Sequence, residues 1–235
     1  NEMPTTHIII VAAGTGSRFG SELPKQFLNL CGKPVLAHTI EAFRRATPDA
    51  EITVVISRQM LPLWEELCRN HDIPSHRTAM GGATRWESVK NALAPLSDVP
   101  AGSIVLIHDG ARPLVNENVI RHAAACARNT DGAIPAIPVT DTLRQLDDNE
   151  VLSTPVDRTA FRAVQTPQAF MMWRLREAYT LPYRPEFTDD ASVLAAAGFG
   201  NIVLTPGSPE NIKITTPVDL IVAKAIMETR CNKGQ

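Results

Sequence analysis

Gly14-Thr15-Gly16-Ser17-Arg18-Phe19-Gly20 follows the apolar run Ile8 to Ala13, and a second cation lies close behind in Leu23-Pro24-Lys25-Gln26. Glycines just past a strand let the backbone approach a bound phosphate, and Arg18 and Lys25 are placed to neutralise it. Alone, the loop reads equally as a strand-end turn with solvated basic residues. A dinucleotide fingerprint needs Gly where Phe19 stands and an acidic residue where Ser57 and Arg58 stand, and no Gly-Lys-Ser/Thr follows to make a P-loop. A second candidate is Asp109, which closes Val105-Leu106-Ile107-His108 and so belongs at the C-terminal edge of a sheet, where open α/β folds bind ligands. Magnesium takes one or two carboxylates and completes its shell with phosphate oxygens and water, so one Asp beside a polyphosphate suffices. His108, inside the strand end, reads as a packed, hydrogen-bonded core residue.

Holding these groups together requires a sheet. His7 to Val11, Ile52 to Ile56, Ser103 to His108, Gly132 to Val139 and Asn201 to Leu204 read as strands. Helical patterns cover Val35 to Arg45, Leu61 to Asn70, Arg85 to Ala94, Glu117 to Arg128, Met172 to Thr180, Asp190 to Ala197 and Val218 to Thr229. The alternation predicts an α/β fold, a doubly wound, mainly parallel sheet covered on both faces. Thr84 and Glu87 form a capping box, Thr216-Pro217 starts the last helix, and Thr188 is placed to cap a helix that Gly198 ends. Asp141 to Gln165 breaks the pattern: Thr142 to Arg144 and Val151 to Val156 flank Asp147-Asp148-Asn149 as a hairpin inserted in the α/β chain. Residues 1–235 are expected to form one domain, with this hairpin as an arm over about 141–165.

The charge pattern limits the partners. With 23 Lys+Arg against 25 Asp+Glu, no basic surface is available for a nucleic acid, so phosphate chemistry must be local. The first apolar run is far shorter than the roughly 18 to 20 residues of a membrane span and lacks the marks of a signal peptide. Cys31, Cys68, Cys126 and Cys231 are scattered without metal-ligand spacing, as in a reduced cytoplasmic protein.

Further motifs occur in a fixed order: Gly81-Gly82-Ala83-Thr84-Arg85-Trp86-Glu87-Ser88-Val89, His108-Asp109-Gly110-Ala111-Arg112-Pro113, Pro138-Val139-Thr140-Asp141-Thr142, Val156-Asp157-Arg158, Gln165-Thr166-Pro167-Gln168, Thr188-Asp189-Asp190-Ala191-Ser192 and Asn211-Ile212-Lys213-Ile214-Thr215. With the glycine loop and Pro24-Lys25-Gln26, this set closely resembles the 2-C-methyl-D-erythritol 4-phosphate cytidylyltransferases, from about residue 8 to residue 225. The resemblance implies a Rossmann-like nucleotidyltransferase that moves a cytidylyl group from CTP to methylerythritol phosphate with Mg2+, releasing pyrophosphate in non-mevalonate isoprenoid synthesis. It implies catalytic roles for Arg18, Lys25, Arg158 and Lys213, and nucleotide contacts at Ala12, Ala13, Gly14, Thr15, Gly16, Gly81, Gly82 and Ser88. Asp109, Arg112, Thr142, Thr166 and Thr188 fall at sugar-phosphate positions, with Asp109 also the metal ligand. It further implies a homodimer in which the arm clasps the partner and carries Arg158 to the neighbouring site.

The chain departs from the pattern at Val11, where Pro is frequent, and at Ala83, where an acidic residue often stands. Base recognition is therefore expected from backbone groups around Ala12, Ala13, Gly81 and Gly82, with Ser88. A ribitol 5-phosphate cytidylyltransferase shares the nucleotide half, but Val156-Asp157-Arg158 ahead of Ala163-Val164-Gln165 looks like the methylerythritol type. A non-catalytic nucleotide-binding regulator would have lost the cations or Asp109, and an NAD-linked dehydrogenase lacks its third Gly and acidic partner.

Overall fold

The computed structural model describes residues 3–14 and 23–234; Thr15, Gly16 and Arg18 lie outside the described residues. The chain begins with β1 (Thr6–Ala12), a small hairpin of β2 (Asn29–Leu30) and β3 (Lys33–Pro34), α1 (Val35–Ala46), β4 (Glu51–Ile56), α2 (Leu61–His71), β5 (Arg77–Met80) and α3 (Arg85–Leu93). It continues through β6 (Ile104–Asp109), α4 (Glu117–Cys126), β7 (Gly132–Pro138), β8 (Arg144–Leu146), β9 (Ser153–Pro155), β10 (Arg162–Val164) and β11 (Gln168–Met171). The last elements are α5 (Met172–Ala178), α6 (Asp190–Ala196), β12 (Ile202–Pro206) and α7 (Pro217–Lys233).

Eight strands form one sheet in the order β10-β7-β11-β6-β1-β4-β5, with β12 also paired to β7. β1 pairs in parallel with β4 on one side and β6 on the other. The chain therefore winds outward from β1 through β4 to β5 and returns through α3 to β6, so the winding order reverses between the parallel neighbours β1 and β6. That switch point opens a crevice at the C-terminal strand ends. Ile8, Ile9 and Ile10 are all fully buried because helices cover both faces. Ile8 and Ile10 pack with Phe43 of α1, Trp64 of α2 and Ile120 of α4. Ile9 packs on the opposite face with Val89 of α3, Leu175 of α5 and Leu194 of α6.

The five expected strands and seven expected helices all form, with ends moved by a few residues. The helix expected to reach Arg128 tightens to a 3-10 turn after Cys126. β5 escapes the pattern because Arg77-Thr78-Ala79-Met80 is half exposed at the sheet edge. β10 and β11 escape it because they are short and interrupted at Pro167, which has no N–H for a ladder. Both run antiparallel to the rest of the sheet. Thr188 is not the cap of α6: Asp189 is, accepting from the Ser192 N–H at 2.9 Å, since its carboxylate lies one residue nearer the helix start. In α3, Thr84 accepts from the Glu87 N–H at 3.1 Å, but Glu87 reaches the Ala83 N–H rather than that of Thr84.

The expected hairpin forms between β8 and β9, pairing Arg144 with Pro155 and Leu146 with Ser153. Its first strand lies two residues later than expected. Residues 141–164 include no buried residue, and Leu146, Val151 and Leu152 are 58%, 79% and 70% exposed.

Candidate active site

The crevice beside the ends of β1 and β6 holds a cavity of about 510 Å³. Its floor depends on small residues. A Cβ on Gly81 would sit 2.3 Å from the Ala13 Cβ, and one on Gly110 would sit 2.9 Å from the Ala12 Cβ and 3.0 Å from the Val11 carbonyl oxygen. Only glycine lets these segments close on the end of β1. Gln26 fixes the same strand end from the other side: its buried amide donates to the carbonyls of Ala12 at 2.8 Å and Gly14 at 3.0 Å. This seats the 3-10 turn Lys25–Phe27 and brings Lys25 to the cavity wall with Ala12, Ala13 and Gly14.

The glycine pair serves differently from expectation. Gly82 lines the cavity and Gly81 does not; Gly81 provides the close approach to Ala13. The Gly82 N–H donates to Ser88 Oγ at 3.0 Å and the Ala83 N–H to Glu87 Oε2 at 2.9 Å, so neither amide is left to read a base. Ser88 is buried against the cavity and, as an acceptor from Gly82, retains its hydroxyl proton for a ligand.

Asp109 stands at the centre. Its Oδ1 accepts from Arg85 Nη1 at 2.7 Å, its Oδ2 accepts from Arg112 Nε at 3.0 Å, and Lys213 Nζ lies 3.8 Å from Oδ2. Burial, the largest single influence, works to raise its pKa, but Arg85, then Lys213 and Arg112, outweigh it and hold the carboxyl far below the usual carboxylate range. Arg112 also donates to the Asn211 carbonyl at 2.7 Å, and the Ile214 N–H donates to the Ala111 carbonyl at 2.8 Å. These bonds dock the lead-in to α7 beside β6 and so place Lys213.

Beneath Asp109 runs a directional hydrogen-bond chain. His108 is fully buried, with Nε2 3.0 Å from the Arg112 carbonyl, which only accepts; Nε2 therefore carries the proton. Nδ1 must then accept, and Thr166 Oγ1 donates to it at 2.9 Å while accepting from the Asp109 N–H at 3.0 Å. Burial pushes the His108 pKa down to about 4, which keeps it neutral and suited to this chain. His108 is thus a core residue that positions Asp109 and Arg112, as its place in the strand suggested.

A second cavity of about 170 Å³ adjoins the first, lined by Arg112, Thr166, Thr188 and Asp189 among others. Arg85, Asp109 and Lys213 line both. The Thr166 hydroxyl proton is committed to His108, leaving its remaining surface for a ligand. Thr142 and Arg158 line neither cavity: both are exposed on or beside the arm, and Arg158 donates to the Thr140 carbonyl. Within one chain, then, Lys25, Asp109, Arg112, Thr166, Thr188 and Lys213 converge and the arm residues stay apart.

Arg85 was legible only as part of a capping motif, and Gln26 and Asp190 only as members of motifs. Their signal was type: an Arg just inside a helix start and a Gln beside a catalytic-type Lys. Among the described residues no group of three His, Cys, Asp or Glu is arranged to hold a metal ion. The donor set nevertheless suits one kind of ion. Asp109 spends one lone pair per oxygen on its close cations and keeps others, which fits one-point contact with a magnesium ion whose other ligands are phosphate oxygens and water.

A doubly wound sheet with two cavities meeting at a caged carboxylate, at the carboxyl ends of its strands, has the form of a ligand site of an open α/β fold. The family model of 2-C-methyl-D-erythritol 4-phosphate cytidylyltransferase matches residues 6–229, and the chain belongs to this family. It is 46% identical over 221 residues to the protein of that name from Bacteroides thetaiotaomicron, covering 94% of this chain and 98% of the relative. Its structure is similar to the 2-C-methyl-D-erythritol 4-phosphate cytidylyltransferase of Thermus thermophilus, with TM-score 0.73, 33% identity and coverage of 95% and 98%. It is also similar to the 4-diphosphocytidyl-2C-methyl-D-erythritol synthase of Anaerococcus prevotii, with TM-score 0.80, 26% identity and coverage of 96% of each chain. No helix among the described residues is long and apolar enough to cross a membrane.

Proposed function

We propose that this enzyme transfers the cytidylyl group of CTP to 2-C-methyl-D-erythritol 4-phosphate, giving 4-diphosphocytidyl-2-C-methyl-D-erythritol and pyrophosphate. The observation that carries the division of labour is the sharing of Arg85, Asp109 and Lys213 by the two cavities. The larger takes CTP against Ala12, Ala13, Gly14, Gly82 and Ser88. The smaller takes the sugar phosphate against Arg112, Thr166 and Thr188.

The acceptor phosphate has a second pKa of about 6, so at neutral pH it is already a nucleophile and no general base is needed. One of its oxygens attacks the α-phosphorus, the bond from that phosphorus to the bridging oxygen breaks, and the electron pair leaves on pyrophosphate. The chain's task is to bring two polyanions together and hold them in line. Lys213 sits where they meet, neutralising the attacking phosphate, and Lys25 does the same for the triphosphate. Arg18 acts with Lys25 in this reading. Magnesium, when bound, supplies charge neutralisation to the triphosphate and is held from the protein by Asp109.

The arm over about 141–165 clasps a second copy in this reading, making a cytoplasmic homodimer in which Thr142 and Arg158 complete the sugar-phosphate cavity in trans. Its exposed Leu146, Val151 and Leu152 support this, since a hairpin with no core of its own needs a covering surface. The test mixes purified protein, CTP and magnesium and follows pyrophosphate with methylerythritol phosphate or ribitol 5-phosphate as acceptor. Release with methylerythritol phosphate is expected; turnover of ribitol phosphate alone overturns the assignment.

A further inference from the structure

Asp190 is the first residue of α6 and lies in neither cavity, yet its carboxylate is 1% exposed. A buried carboxylate is costly unless it is paired, and a buried pair is often no more stabilising than apolar groups of the same size. Its contacts indicate what it does instead. Arg85 Nη2 donates to Asp190 Oδ2 at 3.1 Å while Arg85 Nη1 donates to Asp109 Oδ1 at 2.7 Å. Tyr179 donates its phenol to Asp190 Oδ1 at 2.6 Å, and its ring stacks on Trp86, the residue after Arg85. Gln168 ties the start of α6 to the sheet, donating to Asp189 Oδ2 at 3.0 Å and accepting from the Ala191 N–H at 3.0 Å.

We propose that Asp190, seated by Tyr179, is a positioning residue that holds Arg85 in one-point contact with Asp109 at the junction of the two cavities. An arginine fork facing a single carboxylate tends to close on both of its oxygens. With one end of the fork held by Asp190, Arg85 takes only Oδ1 of Asp109. Oδ2 is thereby left to Arg112 and Lys213, which lie on the sugar-phosphate side. Burial, then the Asp190 charge, push the Tyr179 pKa well above its ordinary value, so it remains a donor throughout the working pH range. Because Thr188 and Asp189 precede Asp190 directly, the same link fixes the wall of the second cavity relative to Asp109.

The inference rests on the proposed transfer reaction, and its test separates the two. Steady-state kinetics are measured for the wild type, Asp190→Asn, Asp190→Glu and Tyr179→Phe, alongside melting temperature. Loss of a hydrogen bond to a charged group lowers transition-state stabilisation, so Asp190→Asn is expected to reduce kcat about 10- to 100-fold, with both KM values within about 3-fold. Tyr179→Phe is expected to reduce kcat about 3- to 10-fold. Asp190→Glu, which restores the charge, should recover most of the loss even if it melts no higher than Asp190→Asn. A kcat for Asp190→Asn within about 2-fold of wild type, a change confined to KM, or no recovery by Glu each overturns the proposal. If Asp190→Asn does not fold, Tyr179→Phe decides: a wild-type kcat there is equally fatal. A wild type without turnover refutes the transfer reaction instead.

Discussion

Replacing Thr166 by Val keeps the side chain's shape and deletes the hydroxyl that joins His108 to Asp109. Two groups then lose their partner: the Asp109 N–H, 3.0 Å from the hydroxyl, and His108 Nδ1, 2.9 Å from it. Both residues are buried, at 7% and 0% exposure, so bulk water is a poor replacement. A change of His108 tautomer gives no relief, because it would set Nε2 as an acceptor against the Arg112 carbonyl. Each unsatisfied group costs about 1 to 3 kcal/mol, which places the loss of unfolding free energy at about 2 to 6 kcal/mol. The measurement is urea unfolding of wild type, Thr166→Val and Thr166→Ser, with kcat determined on the same samples. Thr166→Ser retains the hydroxyl and is expected to lose only about 1 kcal/mol for its missing methyl. Activity of Thr166→Val should fall further than its folded fraction, because Asp109 and Arg112 hang on the same chain. A Thr166→Val protein within about 0.5 kcal/mol of wild type would refute the bonding pattern assigned to His108.

The His108 pKa, lowered from 6.5 to about 4 by burial, means that the unfolded chain binds a proton the native one does not between those values. Stability contributed by His108 is therefore complete above about pH 6.5 and is lost as pH falls toward 4, up to about 3 kcal/mol; an imidazole resonance of His108 that titrates near 6.5 contradicts this. Gly81→Ala places a methyl 2.3 Å from the Ala13 Cβ, and is expected to destabilise by about 1 to 3 kcal/mol and to raise KM for CTP; an unchanged KM argues against Ala13 as part of the nucleotide wall. Mixing and reassociating Lys25→Ala with Arg158→Ala subunits should restore about one quarter of wild-type activity, since half the dimers are mixed and each carries one intact composite site. Heterodimers that form and stay inactive rule out Arg158 acting in trans.

Local signals are enough for much of this protein. The apolar run at Ile8 to Ile10, Thr84 before α3 and Thr216-Pro217 before α7 announce their elements, because burial on both faces and helix capping are properties of a few adjacent residues. The motif order likewise made the family and its principal cations legible. What local signals cannot contain is the partner of a partner. Arg85 reads as a capping-box neighbour until the fold brings Asp109, 24 residues away, and Asp190, 105 residues away, to its two ends. Gly81 reads as a backbone reader of the base until Ala13 packs against it, and nothing local shows that the Thr166 hydroxyl proton is spent on His108. These assignments were decided by tertiary structure because hydrogen bonds saturate: a donor already spent on a distant partner is unavailable to a ligand, and only the folded chain reveals where it was spent.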